Sequence, residues 1–461
     1  MSGHSSLSAL PRPRRVAVIG SGVAGLMAAH VMSAQRHVTL YEADGRLGGH
    51  ADTHEVAVGE RTIVVDTGFI VHNDRTYPTL IRLFEELGVA TRDSDMSMSV
   101  RCDEQGLEYA GAKGLAGLFA QPRNLTRPAY LRMLGEVRRF HRLARGVLAV
   151  PEGGDHHAET LGEFAARGHF SSYFTTYFLQ PVVAAVWSCD PAVALDYPAR
   201  YLFTFLEHHG MLSVLGSPAW RTVVGGSGRY VEKVAAGLDE VRLATPVRAV
   251  RESPDGVVVV DAHGQSDAFD SVVIATHPHQ ALRILTDPTR VQQEVLSAMP
   301  YSSNVAQLHT DESVLPRRTA ARASWNYWRR PAGREAGRVL VSYDMTRLQR
   351  LDVTDRRLIV TLGGEDVVDP RLVLETMHYE HPLYNPESVA AQRQLPLIDT
   401  DRIAFAGAYH GWGFHEDGAA SGVSAAEHLG VSWGVPAPLA VPAEARAGAG
   451  DAGLAELEPA S

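Results

Sequence analysis

An α/β fold, in which a parallel sheet is joined to a discontinuous α+β domain, is the architecture this sequence predicts. Three features point there. Residues 15–19, Arg-Val-Ala-Val-Ile, form the short β-branched apolar run of a buried parallel strand. The turn Gly20-Ser21-Gly22-Val23-Ala24-Gly25 follows and opens a stretch with helical spacing. A second apolar run from Val38 then ends on an acid, Glu42, 22 residues after Gly20.

Length and composition bound the rest. A chain of 461 residues is too long for one core, so two or three domains are expected. Hydrophobic residues are 45% and charged ones 21%, which excludes a largely disordered chain. No apolar run reaches the about 18 residues of a membrane-spanning helix. The net charge of −10 argues against a nucleic-acid partner. Cys102 and Cys189 are the only cysteines, so neither a disulfide framework nor a thiolate metal site is expected, and a cytoplasmic location fits. The only lysines are Lys113 and Lys233. Residues 1–13 read as a flexible N-terminus, and 432–461, rich in Ala, Pro, Gly and Glu, as a disordered tail.

The strand–turn–helix–strand–acid order has a chemical reason. Gly20 allows the tight turn, Gly22 lets backbone approach a pyrophosphate, and Gly25 lets the helix pack close to its strand. The helix start, with Val23 and Ala24, offers N–H groups and a positive dipole end to phosphate. Glu42, followed by Ala43, is placed to accept from a ribose. Further on, Arg46 and the pair Gly48-Gly49 would wrap a second phosphate-rich stretch, which separates FAD from NAD.

With these motifs the sequence resembles the flavin-dependent amine oxidase superfamily, which includes monoamine oxidases, protoporphyrinogen oxidases and phytoene desaturases. Three later segments carry the likeness in the same order: 223–238, with the strand after it that contains Val247; 270–282, around Ala275; and 402–429, with Gly407, Ala408 and the sequence His415-Glu416-Asp417-Gly418-Ala419. The resemblance implies a Rossmann-like, GR2-type FAD domain with a β-meander, assembled from 14–80, 223–284 and 395–431. Residues 81–222 and 285–394 would form the substrate domain. It implies that Gly68, Phe69 and Ala275 approach the cofactor and that Val247 touches adenine through its backbone. Backbone groups of Asp417, Gly418 and Ala419 would stabilise the reduced flavin at N1/O2.

The chain also departs from amine oxidases. Members of that class commonly hold a lysine, through a water, against flavin N5; its place falls near Ala306, and no lysine follows Lys233. His415 stands where one of two flanking aromatic rings is expected, and Tyr384 or Tyr379 is the candidate for the other. Both cysteines lie early, so FAD is expected to be non-covalent.

The catalytic candidates are His415 and Glu416, as carriers of a proton while flavin N5 exchanges a hydride. His72, Tyr409, Trp412 and Phe414 are candidate pocket residues. Asp66 reads as the holder of a turn, and 324–328 as core or wall. No metal site is expected, since His156-His157, His208-His209 and His277/His279 lack further ligands at the required spacing.

The residues 415–422, 324–328 and 341–348 further resemble a bacterial branch of FAD-binding oxidoreductases. Its plant relatives form the N-terminal part of cyclopropane fatty acid synthases. That association implies an apolar substrate, a lipid acyl chain, altered at C–C or C=C bonds. It also implies transient contact with a membrane surface at its inner face, and a lipid methyltransferase as partner. The alternatives are an amine or amino-acid oxidase with an atypical site, and a non-catalytic flavoprotein that steadies the methyltransferase.

Overall fold

The computed structural model describes residues 14–434 apart from 152–158, 188, 191–192, 213–217, 331–339 and 354–355. Of the loose ends expected at 1–13 and 432–461, residues 1–13 and 435–461 lie outside the described residues, as does His156-His157, whereas Trp433 is held, with Arg82 over its ring at 3.6 Å and its Nε1 donating to Glu86 at 3.0 Å.

The apolar run at Arg15–Ile19 (β1) and its successor at His37–Tyr41 (β2) are central strands of a five-stranded parallel sheet. In spatial order the sheet runs Glu240–Arg242, β2, β1, Ser271–Ile274 and Ile403–Phe405. Its strands are drawn from the three segments 14–80, 223–284 and 395–431. The helix Val23–Ser33 (α1) and the C-terminal helix His415–His428 pack on one face. A three-stranded antiparallel meander, Val247–Ser253, Gly256–Asp261 and Ser266–Phe269, covers the other.

The two helices meet through missing side chains. A Cβ on Gly418 would stand 2.6 Å from Cγ1 of Val23, and one on Gly422 would stand 2.3 Å from the Ala24 carbonyl oxygen. The strand before each helix is short and, Arg15 apart, buried, so both helix starts are delivered to the same edge of the sheet.

A seven-stranded sheet takes its strands from 81–222 and 285–394. Its order is Val373–Pro382, Tyr301–His309, Ile359–Leu362, Val341–Asp344, Trp325–Arg329, Met98–Cys102 and Leu107–Ala110. The same segments form the helix Pro128–Ala149, and Thr160 with Glu163 makes a capping box at the start of the helix Leu161–Arg167. Ser324, Asn326 and Tyr327 are buried in this sheet, as wall rather than chemistry. Among the described residues, no helix is long and apolar enough to cross a membrane.

Candidate active site

The glycine turn has the shape its sequence requires. Gly20 has φ +99°, and a Cβ on Gly25 would lie 1.9 Å from the Gly20 carbonyl oxygen. Nothing lies within 4 Å of where a Cβ on Gly22 would stand, so backbone is open there. Helix α1 has no side-chain cap and no acid in its first turn. Glu42 Oε2 accepts from the Ser21 N–H at 2.9 Å and from the Ser21 hydroxyl at 2.5 Å, and Oε1 accepts from the Asp44 N–H at 2.9 Å, which leaves a lone pair of Oε1 for a further donor. Ala43 is exposed beside it.

The second phosphate-side loop folds back on this turn. Gly48 donates to the Ser21 carbonyl at 3.1 Å, and Gly49 takes φ +57° with the Gly22 Cα 3.1 Å from its missing Cβ. Arg46 reaches Asp52 at 3.1 Å while its guanidinium stays partly exposed. Asp52 in turn accepts from the Tyr379 hydroxyl at 2.8 Å. Gly68 and Phe69 lie against the same loop, with the Phe69 N–H donating to the His50 carbonyl at 2.6 Å. The Ala275 carbonyl closes over Gly20, 2.7 Å from where its Cβ would be. Val247 begins the meander, opposite Asp261.

The C-terminal helix begins at His415, three residues earlier than the expected start at Gly418. The Gly418 N–H is therefore spent inside the helix, on the Phe414 carbonyl at 3.1 Å. Of the three expected backbone donors, only Asp417 lies in the first turn, where N–H groups have no intrahelical acceptor. Its carboxylate accepts from the Phe414 N–H at 2.8 Å, and burial pushes its pKa up to about 7.

The loop leading in is clamped from the other unit. The Gly411 carbonyl accepts from Tyr201 Oη at 2.6 Å, Tyr384 Oη at 3.0 Å and Gln392 Nε2 at 2.7 Å. Trp187 donates to the Trp412 carbonyl at 3.0 Å, and Phe414 stacks on Phe205 at 4.7 Å. Trp412 and Phe414 thus line the boundary with the substrate-side core. Tyr409 is 2% exposed and belongs to the core under the parallel sheet. Gly407 and Ala408 form the turn between strand and loop, fixed by the Gly407 N–H on Ser421 Oγ at 2.9 Å.

His415 stacks face to face on Phe69 at 3.8 Å, and its Nε2 lies 2.7 Å from the Tyr230 hydroxyl. Burial drives its pKa down to about 3, so the ring is neutral at physiological pH. Burial likewise holds the Tyr230 hydroxyl protonated, so a neutral phenol faces a neutral imidazole and the tautomer of His415 sets which of them donates. The ring contacts of His415 are thus Phe69 and Tyr230; Tyr384 packs on Tyr201 and Tyr379 on His50 instead.

Glu416 has a different task from the expected one. Its carboxylate accepts from the Thr79 N–H at 2.8 Å and the Leu80 N–H at 3.1 Å, capping the helix Pro78–Leu87 (α2). Asp66 holds its turn, accepting from Thr53 at 2.6 Å, Ser227 Oγ at 2.8 Å and Gln349 at 2.7 Å. His72 is buried against Phe84, with its pKa lowered to about 4 by burial.

Sequence reasoning missed His50. The buried atoms His50 Nε2, His72 Nδ1, Tyr409 Oη, His410 Nε2 and Trp412 Nε1 have no hydrogen-bond partner among the described residues. Each such group costs about 1–3 kcal/mol unless something polar meets it. His410 and Trp412 lie on the loop before the C-terminal helix and His50 directly follows Gly49, so a polar ligand held by these two segments would meet them. FAD suits the open glycine backbone, the acid Glu42 and these orphaned groups together.

Comparison with known proteins agrees with that fit. The family model for flavin-containing amine oxidoreductases matches residues 23–429. The chain belongs to this family. A Mycobacterium tuberculosis protein named as a flavin-containing monoamine oxidase, AofH, is 29% identical over 290 residues. That match covers 59% of this chain, and the chain spans only 59% of the relative's length. Among solved structures, cyclohexylamine oxidase from Brevibacterium oxydans shares the fold with TM-score 0.64 at 17% identity, covering 90% of this chain and 98% of that one. A fatty acid isomerase of P. acnes that produces CLA does so with TM-score 0.62 at 14% identity, over 90% of this chain and 98% of that one. The family's cofactor, FAD, is the ligand of the site just described.

Proposed function

We propose that this protein is an FAD-dependent oxidoreductase acting on C–C or C=C bonds of a hydrophobic substrate, a lipid acyl chain, as desaturase, saturase or double-bond isomerase. The observation that carries the reading is a site whose histidines are neutral and whose carboxylates are held by the protein's own donors, Asp417 by the Phe414 N–H among them. Burial lowers the pKa of His50 well below its usual value, that of His415 to about 3, and those of His72, His381 and His410 to about 4. The carboxylates nearby are occupied: Asp52 by Arg46 and Tyr379, and Glu416 by α2. Where amine oxidases commonly carry lysine there is the fully buried Ala306. Both lysines of the chain donate to backbone carbonyls elsewhere, Lys113 to Arg322 at 2.9 Å and Lys233 to Leu87 at 2.8 Å.

FAD bound there supplies hydride exchange at flavin N5. The chain's own contribution is positional. Tyr201, Tyr384 and Gln392 lock the Gly411 carbonyl and so set the loop that carries Trp412 and Phe414. The Tyr230 hydroxyl, 2.7 Å from His415 Nε2, and the stacked Phe69 ring fix the orientation of the neutral imidazole.

A surface feature supports contact with lipid. Leu115, Leu125 and Leu131 are 75%, 55% and 43% exposed at one corner, where Tyr130 ties the helix Gly114–Leu118 to the start of the helix Pro128–Ala149. Lys113, Arg123, Arg127 and Arg132 fall in the same stretch of sequence, and no acid occurs from 109 to 135 in a chain of net charge −10. Apolar residues among cations suit the interface of an anionic membrane.

The deciding experiment incubates FAD-loaded protein anaerobically with anionic phospholipid vesicles carrying unsaturated acyl chains, and in parallel with an amine panel. Flavin absorbance and the acyl profile of the recovered lipid are measured. A changed double-bond position or count supports the proposal. Bleaching by an amine, with hydrogen peroxide formed on admitting air and no lipid change, overturns it in favour of the amine oxidase suggested by AofH. Oxidised flavin with every substrate, together with capture of a lipid methyltransferase, would mark a non-catalytic partner.

A further inference from the structure

Away from the flavin site, His277, His279 and Glu380 converge where the parallel-sheet unit meets the seven-stranded sheet. His277 and His279 flank the start of the helix Pro278–Ile284, just after the strand Ser271–Ile274. Glu380 comes from the strand Val373–Pro382. Period-two alternation along that strand sends Glu380 to one face and its neighbours Tyr379 and His381 to the other, where both rings pack on His50 at 4.9 and 5.3 Å. Spacing within the sequence hid the group, because the third member lies 103 residues from the first.

The donor atoms are already close. His277 Nδ1 is 2.7 Å from Glu380 Oε2, His279 Nε2 is 3.7 Å from the same oxygen, and the three donor atoms lie within 4.8 Å of one another. A tetrahedral ion with ligands at about 2.0–2.2 Å keeps its donors about 3.3 Å apart, so small side-chain rotations bring the set to that spacing. Two imidazoles and a carboxylate suit zinc and the divalent ions of similar softness. Tyr301 stacks on His277 at 4.4 Å and holds the ring in orientation. His279 and Glu380 remain 45% and 36% exposed, so an ion can enter from solvent.

Beside the cluster is a cavity of about 570 Å³, lined by His279 and Glu380 themselves and by Leu282, Met299 and Tyr301. We infer that His277, His279 and Glu380 bind one divalent transition cation of the zinc class, clipping the two units together and leaving one coordination position open to this cavity. The ion displaces the proton shared between His277 and Glu380. Three protein ligands with one open position is the arrangement in which zinc binds a further small ligand.

Calorimetric titration of FAD-loaded full-length protein with Zn²⁺ alone, and visible absorption with Co²⁺, test the inference. The expected result is one ion per chain, with binding weakened at least about tenfold by His279→Ala and by Glu380→Gln. His263→Ala, at an exposed turn outside the cluster, should bind as wild type does. Zn²⁺ should raise the thermal midpoint of the wild type and not of the two cluster variants, whose flavin spectra report whether they are folded. No Zn²⁺ uptake by the wild type, or equal uptake by both cluster variants, overturns it. Either result leaves the flavin assignment untouched.

Discussion

Replacing Glu416 separates a proton carrier from a helix cap. The first turn of α2 has Pro at its start and no side-chain cap of its own; Tyr77 occupies the cap position. The two N–H groups of Thr79 and Leu80 are met instead by a carboxylate 337 residues further along the chain. A lost cap costs about 1 kcal/mol, and the lost anion at the helix dipole about 0.3–1 kcal/mol more. With two buried donors left unpaired, Glu416→Ala should cost about 2–3 kcal/mol. Glu416→Gln keeps one acceptor oxygen and should cost about 1 kcal/mol. Urea unfolding of the FAD-loaded variants gives the stability, and the acyl-chain assay gives turnover. A Glu416→Gln protein with the wild-type midpoint but turnover down by about 10²-fold or more would refute the cap and restore a general acid–base role.

Other outcomes follow from the same geometry. His309 is fully buried, accepts from the Asp311 N–H at 3.0 Å, and has its pKa lowered by burial from 6.5 to about 4. The unfolded chain therefore takes the proton first; the stability is complete above pH 6.5 and is lost as pH falls towards 4. Urea midpoints measured across that window should fall less steeply in His309→Gln, by about 1.4 kcal/mol per pH unit, and an unchanged slope would contradict this. Gly25→Ala places a methyl group 1.9 Å from the Gly20 carbonyl oxygen, so it should yield protein with little flavin and a lower thermal midpoint, whereas Gly45→Ala, with open space around it, should match wild type. Retained flavin in Gly25→Ala would sink the close-packing argument. Acid precipitation should release the flavin into solution, since Cys102 and Cys189 are both buried and neither lies in the segments that form the site; colour held in the pellet would show a covalent link.

The first two strands of the parallel sheet, the glycine turn and Glu42 were legible because each depends on neighbours within about 30 residues. Strand burial shows as β-branched runs, and helix docking shows as glycine at fixed offsets. The departure from lysine at Ala306 was equally legible, since a residue type absent from the whole downstream chain needs no coordinates.

What only the folded chain decided concerns charge and partnership. His415 and Glu416 look like an acid–base pair when adjacent in sequence, yet one is a neutral ring stacked on Phe69 and the other a cap on α2. Burial is set collectively by elements hundreds of residues apart, and burial fixes which of these groups carries a proton. The meeting of His277 and His279 with Glu380 has the same origin, because strand register across two sheets brings together residues that no spacing rule connects. The sequence alone determined the cofactor's cradle, which is local backbone geometry. Tertiary structure determined the chemistry offered at its edge, which is a matter of desolvation and distant hydrogen-bond partners.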